Sequence, residues 1–324
     1  MGYNSSKWDR KASLLISDAR ACLMGVFIIV IMLFHNSFGI LGPISVPFYL
    51  YGHWGVDVFL FLSGFGVYFS LKKSGHNGLL PFYKRRLVRI IPASVVVGGI
   101  LYMCGMADWL GLLGLNLWYI RTALVLYLFS PVIYHLLVNW HATRALVLLT
   151  LLAVVGIIVA VPLLLHSGFV WQTTISWTLA RLTAFVLGMY IAHMDFSVKQ
   201  LLHPAYVIIA VLSLLAALYF HLERAQQGAF SNCLHLLPYT LVAFALPLCL
   251  VLLSMFIPTK SGGVITFIGS CTLELYLVHE AIFKKVSVLP YNGITKFLLA
   301  YGLSAVAAVV LHYSCRYLCK LLHR

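Results

Sequence analysis

Acid is scarce in this sequence. Asp and Glu number eight among 324 residues, against 22 Lys and Arg, and charged residues make up only 9% of the chain. A soluble domain carries about 25% charge, so a soluble globular fold is excluded. The seven cysteines include no CxxC pair and no zinc-ligand spacing, so no metal site is expected and most should be small buried hydrophobes. No phosphate-binding Walker loop or dinucleotide-binding glycine fingerprint is present. Repeats, low-complexity tracts and long linkers are also absent. The polar N-terminus lacks the arrangement and cleavage site of a secretory leader, so the first apolar run is expected to be a retained span.

Apolar residues are abundant, at 62% of the chain. A membrane-spanning helix needs roughly 20 of them in a row. Runs of that kind fall at 19–38, 54–71, 88–106, 117–137, 145–165, 174–193, 204–221, 237–257, 264–283 and 297–318. They are apolar all round rather than amphipathic. The expectation is an all-α integral membrane protein: a bundle of about ten transmembrane helices (residues 19–324) after a polar cytoplasmic tail (residues 1–18). Pro162 and Pro247 should kink their spans.

An excess of basic residues is also a footprint of nucleic-acid binding, but here these residues sit between apolar spans. They therefore report topology and contact with anionic lipid headgroups, and no nucleic-acid partner is expected. With the N-terminus inside, sixteen Lys and Arg fall in inner segments and four (Arg224, Lys284, Lys285 and Lys296) in outer ones. Both termini are therefore expected inside.

Intramembrane ionisable groups are costly and usually functional. Six are expected in the middle and outer membrane: His35, Asp57, Arg121, Arg181, Glu274 and His279. Acyl transfer to a hydroxyl needs a base titrating near neutrality, a group that fixes its tautomer and a cation for the oxyanion. Histidine, carboxylate and arginine supply those types, with Asp57 the expected orienting partner of His35. Glu274 and His279 are about 140° apart on an ideal helix and should not touch, whereas Tyr276 can reach His279. Glu274 either joins this site or neutralises Arg121 or Arg181 as a structural pair. Glu280 and Lys284 are spaced as an interfacial ion pair. Gly55, Ser63, Gly64 and Gly66 read as positions of close helix packing.

On the inner side, Pro81 to Pro92 should form a short helix that presents Arg85, Arg86 and Arg89 together. Arginine forks recognise phosphate, although lipid headgroups and topology also account for such a cluster.

The run Gly55-Val-Asp-Val-Phe-Leu-Phe-Leu-Ser-Gly-Phe65, followed by Lys84-Arg-Arg-Leu-Val-Arg-Ile-Ile-Pro92, resembles the signature of the membrane-bound acyltransferase-3 family. Leu33-Phe-His35, Leu117-Trp118-Tyr119 and Gly269-Ser-Cys-Thr-Leu-Glu-Leu-Tyr-Leu-Val-His279 match further fragments in the family's order. The resemblance implies an O-acyltransferase of bacterial surface glycans in the inner membrane. His35 aligns with the family's catalytic histidine and His279 with a second recurring one. Arg86 and Arg89 align with an arginine pair that would bind the phosphates of acetyl-CoA or another acyl-CoA. The acceptor would be a hydroxyl on a lipid-linked or surface saccharide. One position departs from the pattern: Met24 stands where an arginine is usual, and Arg20 lies one turn earlier. Arg20 could substitute for it or simply cap the helix end. Larger relatives append an extracytoplasmic esterase-like domain. Ten spans leave no room for one here, so the membrane domain is expected to complete the transfer. The rival readings are a secondary transporter or flippase of a glycan or small anion, and an inactive scaffold.

Overall fold

In lipid, a backbone finds hydrogen-bond partners only within its own helix or a closed barrel, so each long apolar run becomes a helix. The computed structural model describes residues 7–40, 42–75, 78–106, 111, 117–161, 163, 171–226, 234–257 and 263–322. Among the described residues there are helices and turns and no strand. Among the described residues, nine helices are long and apolar enough to cross a membrane, and a bent pair adds a tenth span if it is counted as one. The order matches the ten apolar runs of the sequence. Pro162 lies outside the described residues.

The helices are α1 (Ala12–Phe34), α2 (Ser45–Tyr51), α3 (Gly55–Ser74), α4 (Leu80–Met103), α5 (Trp118–Asn139), α6 (Ala142–Val155) and α7 (Gln172–Met194). They continue with α8 (Val198–Leu201), α9 (Pro204–Gln226), α10 (Leu237–Val242), α11 (Leu246–Phe256), α12 (Val264–Ser270), α13 (Thr272–Ser287) and α14 (Gly293–Leu322). Two compact units emerge from the contacts. The first comprises Met1–Arg20, Asp57–Phe82 and Arg121–Lys260, and the second Ala21–Val56, Tyr83–Ile120 and Ser261–Arg324.

In the first unit, α3 and α7 meet backbone to backbone. A Cβ on Gly64 would strike the Phe185 carbonyl, and one on Gly188 would strike that of Phe61. Only glycine permits that approach, and Phe59, Phe61, Phe65 and Phe185 fill the surrounding space with almost no exposure. The start of α1 is tied to the end of α7. Asp195 ends α7 in the left-handed region at φ +49°. Its side chain accepts from the Ser13 hydroxyl, and its carbonyl accepts from Lys11 Nζ at 2.9 Å. Lys11 and Ser197 add an isolated antiparallel bridge. This network explains why α1 begins at Ala12, within the stretch expected to be tail. Ala12, Leu15 and Ile16 are buried there. Near Pro247, where a kink is expected, α10 passes through a 3-10 turn at Ala243–Ala245 before α11 resumes with Pro247 in its first turn.

In the second unit, α1 and α12 repeat the glycine device. A Cβ on Gly25 would meet the Ile265 carbonyl, and one on Gly269 that of Ala21. Two expectations need correction here. The segment before Pro92 is not a separate short helix: α4 runs unbroken from Leu80 to Met103 with Pro92 inside it, as membrane helices tolerate. The ninth span is not straight, because α12 and α13 meet at 83° about Cys271. At that bend the Thr272 hydroxyl donates to the Gly269 carbonyl at 2.7 Å, a local bond that competes with the helical ladder.

Candidate active site

In the second unit, α1 ends at Phe34 and leaves His35 in its last turn, before the turn-forming residues Asn36, Ser37 and Gly39. Asn36 fixes the exit by accepting from the Phe38 N–H at 3.1 Å. His35 Nδ1 lies 3.0 Å from the Ile31 carbonyl and 3.3 Å from Nε2 of His279 on α13. His279 Nδ1 in turn lies 2.9 Å from the Leu275 carbonyl and 3.0 Å from that of Tyr276.

The carbonyl contacts assign the tautomers. A carbonyl only accepts, so each Nδ1 must carry its proton. His279 Nε2 is then a bare acceptor, and it shares the His35 Nδ1–H with the nearer Ile31 carbonyl. The remaining lone pair of His35 is on Nε2. A backbone carbonyl or an acceptor behind one ring nitrogen sets the chemistry of the other. Burial separates the two residues further: His279 is 1% exposed and His35 is half-buried. His279 therefore sits behind and His35 in front.

Aromatic rings pack around the pair. Phe34 meets His35 edge-on at 4.8 Å and His53 at 5.5 Å, while Phe283 lies 5.9 Å from His279. Tyr276 contacts the His279 ring at 5.7 Å and stacks tilted on Tyr119 at 4.7 Å. Tyr276 also lines a cavity of about 300 Å³ with Trp118, Ser94, Glu280 and Lys284.

The carboxylate of Glu274 meets His312 of α14 at 3.1 Å. The expected structural partner was Arg121 or Arg181, and His312 replaces it. Sequence pattern offered no sign of His312, which lies 38 residues away on another helix. Glu280 and Lys284 form the expected i,i+4 pair at 2.7 Å. On α4, Arg85 and Arg89 are exposed and Arg86 is half-buried. The three residues occupy about one turn of one helix.

In the first unit, Asp57 and Arg181 form a fully buried ion pair, with Arg181 Nε 3.4 Å from Asp57 Oδ1. The guanidinium carbon of Arg181 also sits 4.2 Å from the Tyr239 ring centre and 4.8 Å from that of Trp177. The aromatic seat, invisible in the sequence pattern, lets the cation remain away from water. Arg121 stands at the start of α5, partly buried. Arg20 lies well inside α1, so it caps no helix end. Its guanidinium packs over Gly66 of α3, where an added Cβ would come within 2.8 Å of it. Ser63 bonds Tyr127 at 2.6 Å within the packed interior.

A family model described as an acyltransferase domain, that of the acyltransferase-3 family, matches residues 21–314. Neither the curated proteins nor the solved structures contain a match to the chain.

Proposed function

Since the chain belongs to the acyltransferase-3 family, we propose that it moves an acyl group, acetyl in the simplest case, from acyl-CoA to a saccharide hydroxyl, with His35 as the base. The observation that carries this reading is the packing of the histidine pair: of the two, only His35 is partly exposed, and with its Nδ1 facing the Ile31 carbonyl the assigned lone pair is on Nε2.

In the proposed reaction, Nε2 of His35 takes the acceptor hydroxyl proton as the oxygen attacks the thioester carbonyl carbon. The carbonyl becomes a tetrahedral oxyanion. The C–S bond then breaks, and the imidazolium returns its proton to the departing thiolate, so the base is regenerated. His279 holds His35 in the productive tautomer and accepts its Nδ1–H throughout, as a neutral counterpart of the carboxylate in a catalytic triad. In the second route, Nε2 attacks the thioester carbonyl carbon, the C–S bond breaks to expel the CoA thiolate, and the acyl group then passes from Nε2 to the hydroxyl oxygen, whose proton ends on the thiolate. Arg85, Arg86 and Arg89 would hold the CoA phosphates from the cytoplasmic side of a bacterial inner membrane. The acceptor, a lipid-linked or surface sugar, would enter from the other side.

Purified protein in liposomes, supplied with labelled acetyl-CoA and a saccharide mixture, tests the reading. Label should appear in ester linkage to sugar. A transporter, which a broken helix would also suit, would move sugar across the bilayer without esterifying it, and that result would overturn the proposal. Donor binding supplies a second check. Arg86→Ala or Arg89→Ala should weaken acetyl-CoA affinity by about 1.5–3 kcal/mol, the value of a charge-assisted hydrogen bond. Lysine should rescue only partly, because it lacks the fork. Unchanged affinity in both alanine variants would assign the cluster to lipid headgroups.

A further inference from the structure

The cavity of about 300 Å³ in the second unit lies along one face of α4, where Ser94, Val97, Gly98 and Leu101 recur at helical spacing. Its far wall comes from α13 and from Trp118. Ser94 is 2% exposed, yet its hydroxyl makes no hydrogen bond among the described residues. A buried hydroxyl without a partner is costly and calls for a polar atom in the cavity. Glu280 and Lys284 also line the cavity. Their mutual 2.7 Å contact makes the local charge neutral while leaving further donors and acceptors for hydroxyl groups.

Taking the acyl-transfer reading as its basis, we propose that this cavity is the acceptor subsite and holds one uncharged pyranose ring. The ring would lie against the indole of Trp118, bond Ser94 through one hydroxyl, and reach Glu280 and Lys284 through others. Three features carry the assignment. The volume, about 300 Å³, is at the small end of the roughly 300–1,000 Å³ range of ligand pockets, enough to hold a single sugar ring. The polar groups are a hydroxyl and a neutralised ion pair, which match a polyol and offer no unpaired cation to a uronic acid. Tyr276 belongs to the cavity wall and its ring centre lies 5.7 Å from that of His279, so one side chain separates the cavity from the histidine pair.

The test is saturation-transfer NMR on the full chain in detergent. The probes are the methyl pyranosides of glucose, galactose, mannose and N-acetylglucosamine, with methyl glucuronide as the anionic control. At least one neutral pyranoside should bind, and more tightly than the glucuronide. Its affinity should fall at least tenfold in Trp118→Ala and in Ser94→Leu, which fills the cavity, and stay within threefold in Trp118→Phe. Should Ser94→Leu fail to fold, Glu280→Gln should weaken binding in the same way. Absence of pyranoside binding in the unaltered protein, equal affinity in all variants, or preference for the glucuronide would each overturn the assignment. Acetyl-CoA binding and acyl transfer are measured on the same samples. Pyranoside binding without transfer would sink the enzymatic reading and leave the subsite standing. Transfer with unaltered pyranoside affinity in the variants would do the reverse.

Discussion

Leu275 and Tyr276 hold the Nδ1 proton of His279 from two sides, and that fixes what His35 can do. The consequence is a graded loss of activity. His279→Ala leaves the base in place but frees its ring, and slack of about 1 Å in a reacting group costs up to roughly 10²-fold. Transfer by His279→Ala should therefore fall, by less than in His35→Ala, with donor affinity unchanged. An equal loss in the two variants would make His279 a reacting group itself. Asp57 invites a different test, because its visible partner is Arg181. Removing one member of a buried pair costs about 3–5 kcal/mol, since the other is left charged and uncompensated. Asp57→Asn should lower the detergent melting temperature sharply, and Asp57→Leu combined with Arg181→Met should recover most of it. A normal melting temperature with lost transfer would return Asp57 to the chemistry. The residue types at the site were legible in the sequence, because intramembrane charge is rare enough to stand out. The pairings were not. His35 and His279 are 244 positions apart, and no periodicity links positions on separate helices.

At the scale of the element, hydropathy located every span, because lipid selects for length and apolarity alone. It did not locate the departures from straight helices, which depend on single polar contacts. The bend at Cys271 involves the Thr272 hydroxyl and the Gly269 carbonyl. The early start of α1 involves Ser13, Lys11 and Asp195. The small residues after Asp57 were legible as packing sites, and the α3–α7 contact bears this out for Gly64. Gly66 serves a different neighbour, the Arg20 guanidinium. Because the atom facing Gly64 is a backbone carbonyl, which cannot swing aside, Gly64→Ala and Gly188→Ala should each cost about 1–3 kcal/mol as overpacking. Thermal unfolding in detergent reads this directly. Two variants as stable as the unaltered protein would show that α3 and α7 stand further apart than described.

At the scale of the molecule, the bend between α12 and α13 bears on topology. Treated as one span, the pair gives ten crossings and an inner C-terminus. Treated as a re-entrant hairpin, it gives nine. Counting charge does not separate the two, since Lys284, Lys285 and Lys296 would change sides with Arg316, Lys320 and Arg324. The cavity beside Glu280 and Lys284 needs the ten-span arrangement if its sugar comes from outside. Cysteines introduced at Ser45 and Lys285 should therefore react with an impermeant reagent in intact cells. Those at Gly78 and Arg316 should react only after permeabilisation. Reaction at Arg316 but not at Lys285 in intact cells would establish nine crossings and remove the two-sided mechanism.

In the proposed reaction His35 takes the proton while arginines of α4 hold the donor. That division of roles is tested most directly by measuring acyl transfer and acetyl-CoA affinity together on folded, purified His35→Ala. Loss of a general base should slow transfer by about 10²–10⁴-fold, while acetyl-CoA binds as before because Arg86 and Arg89 are untouched. Near-normal transfer by His35→Ala, with the donor still bound, would remove His35 from the chemistry.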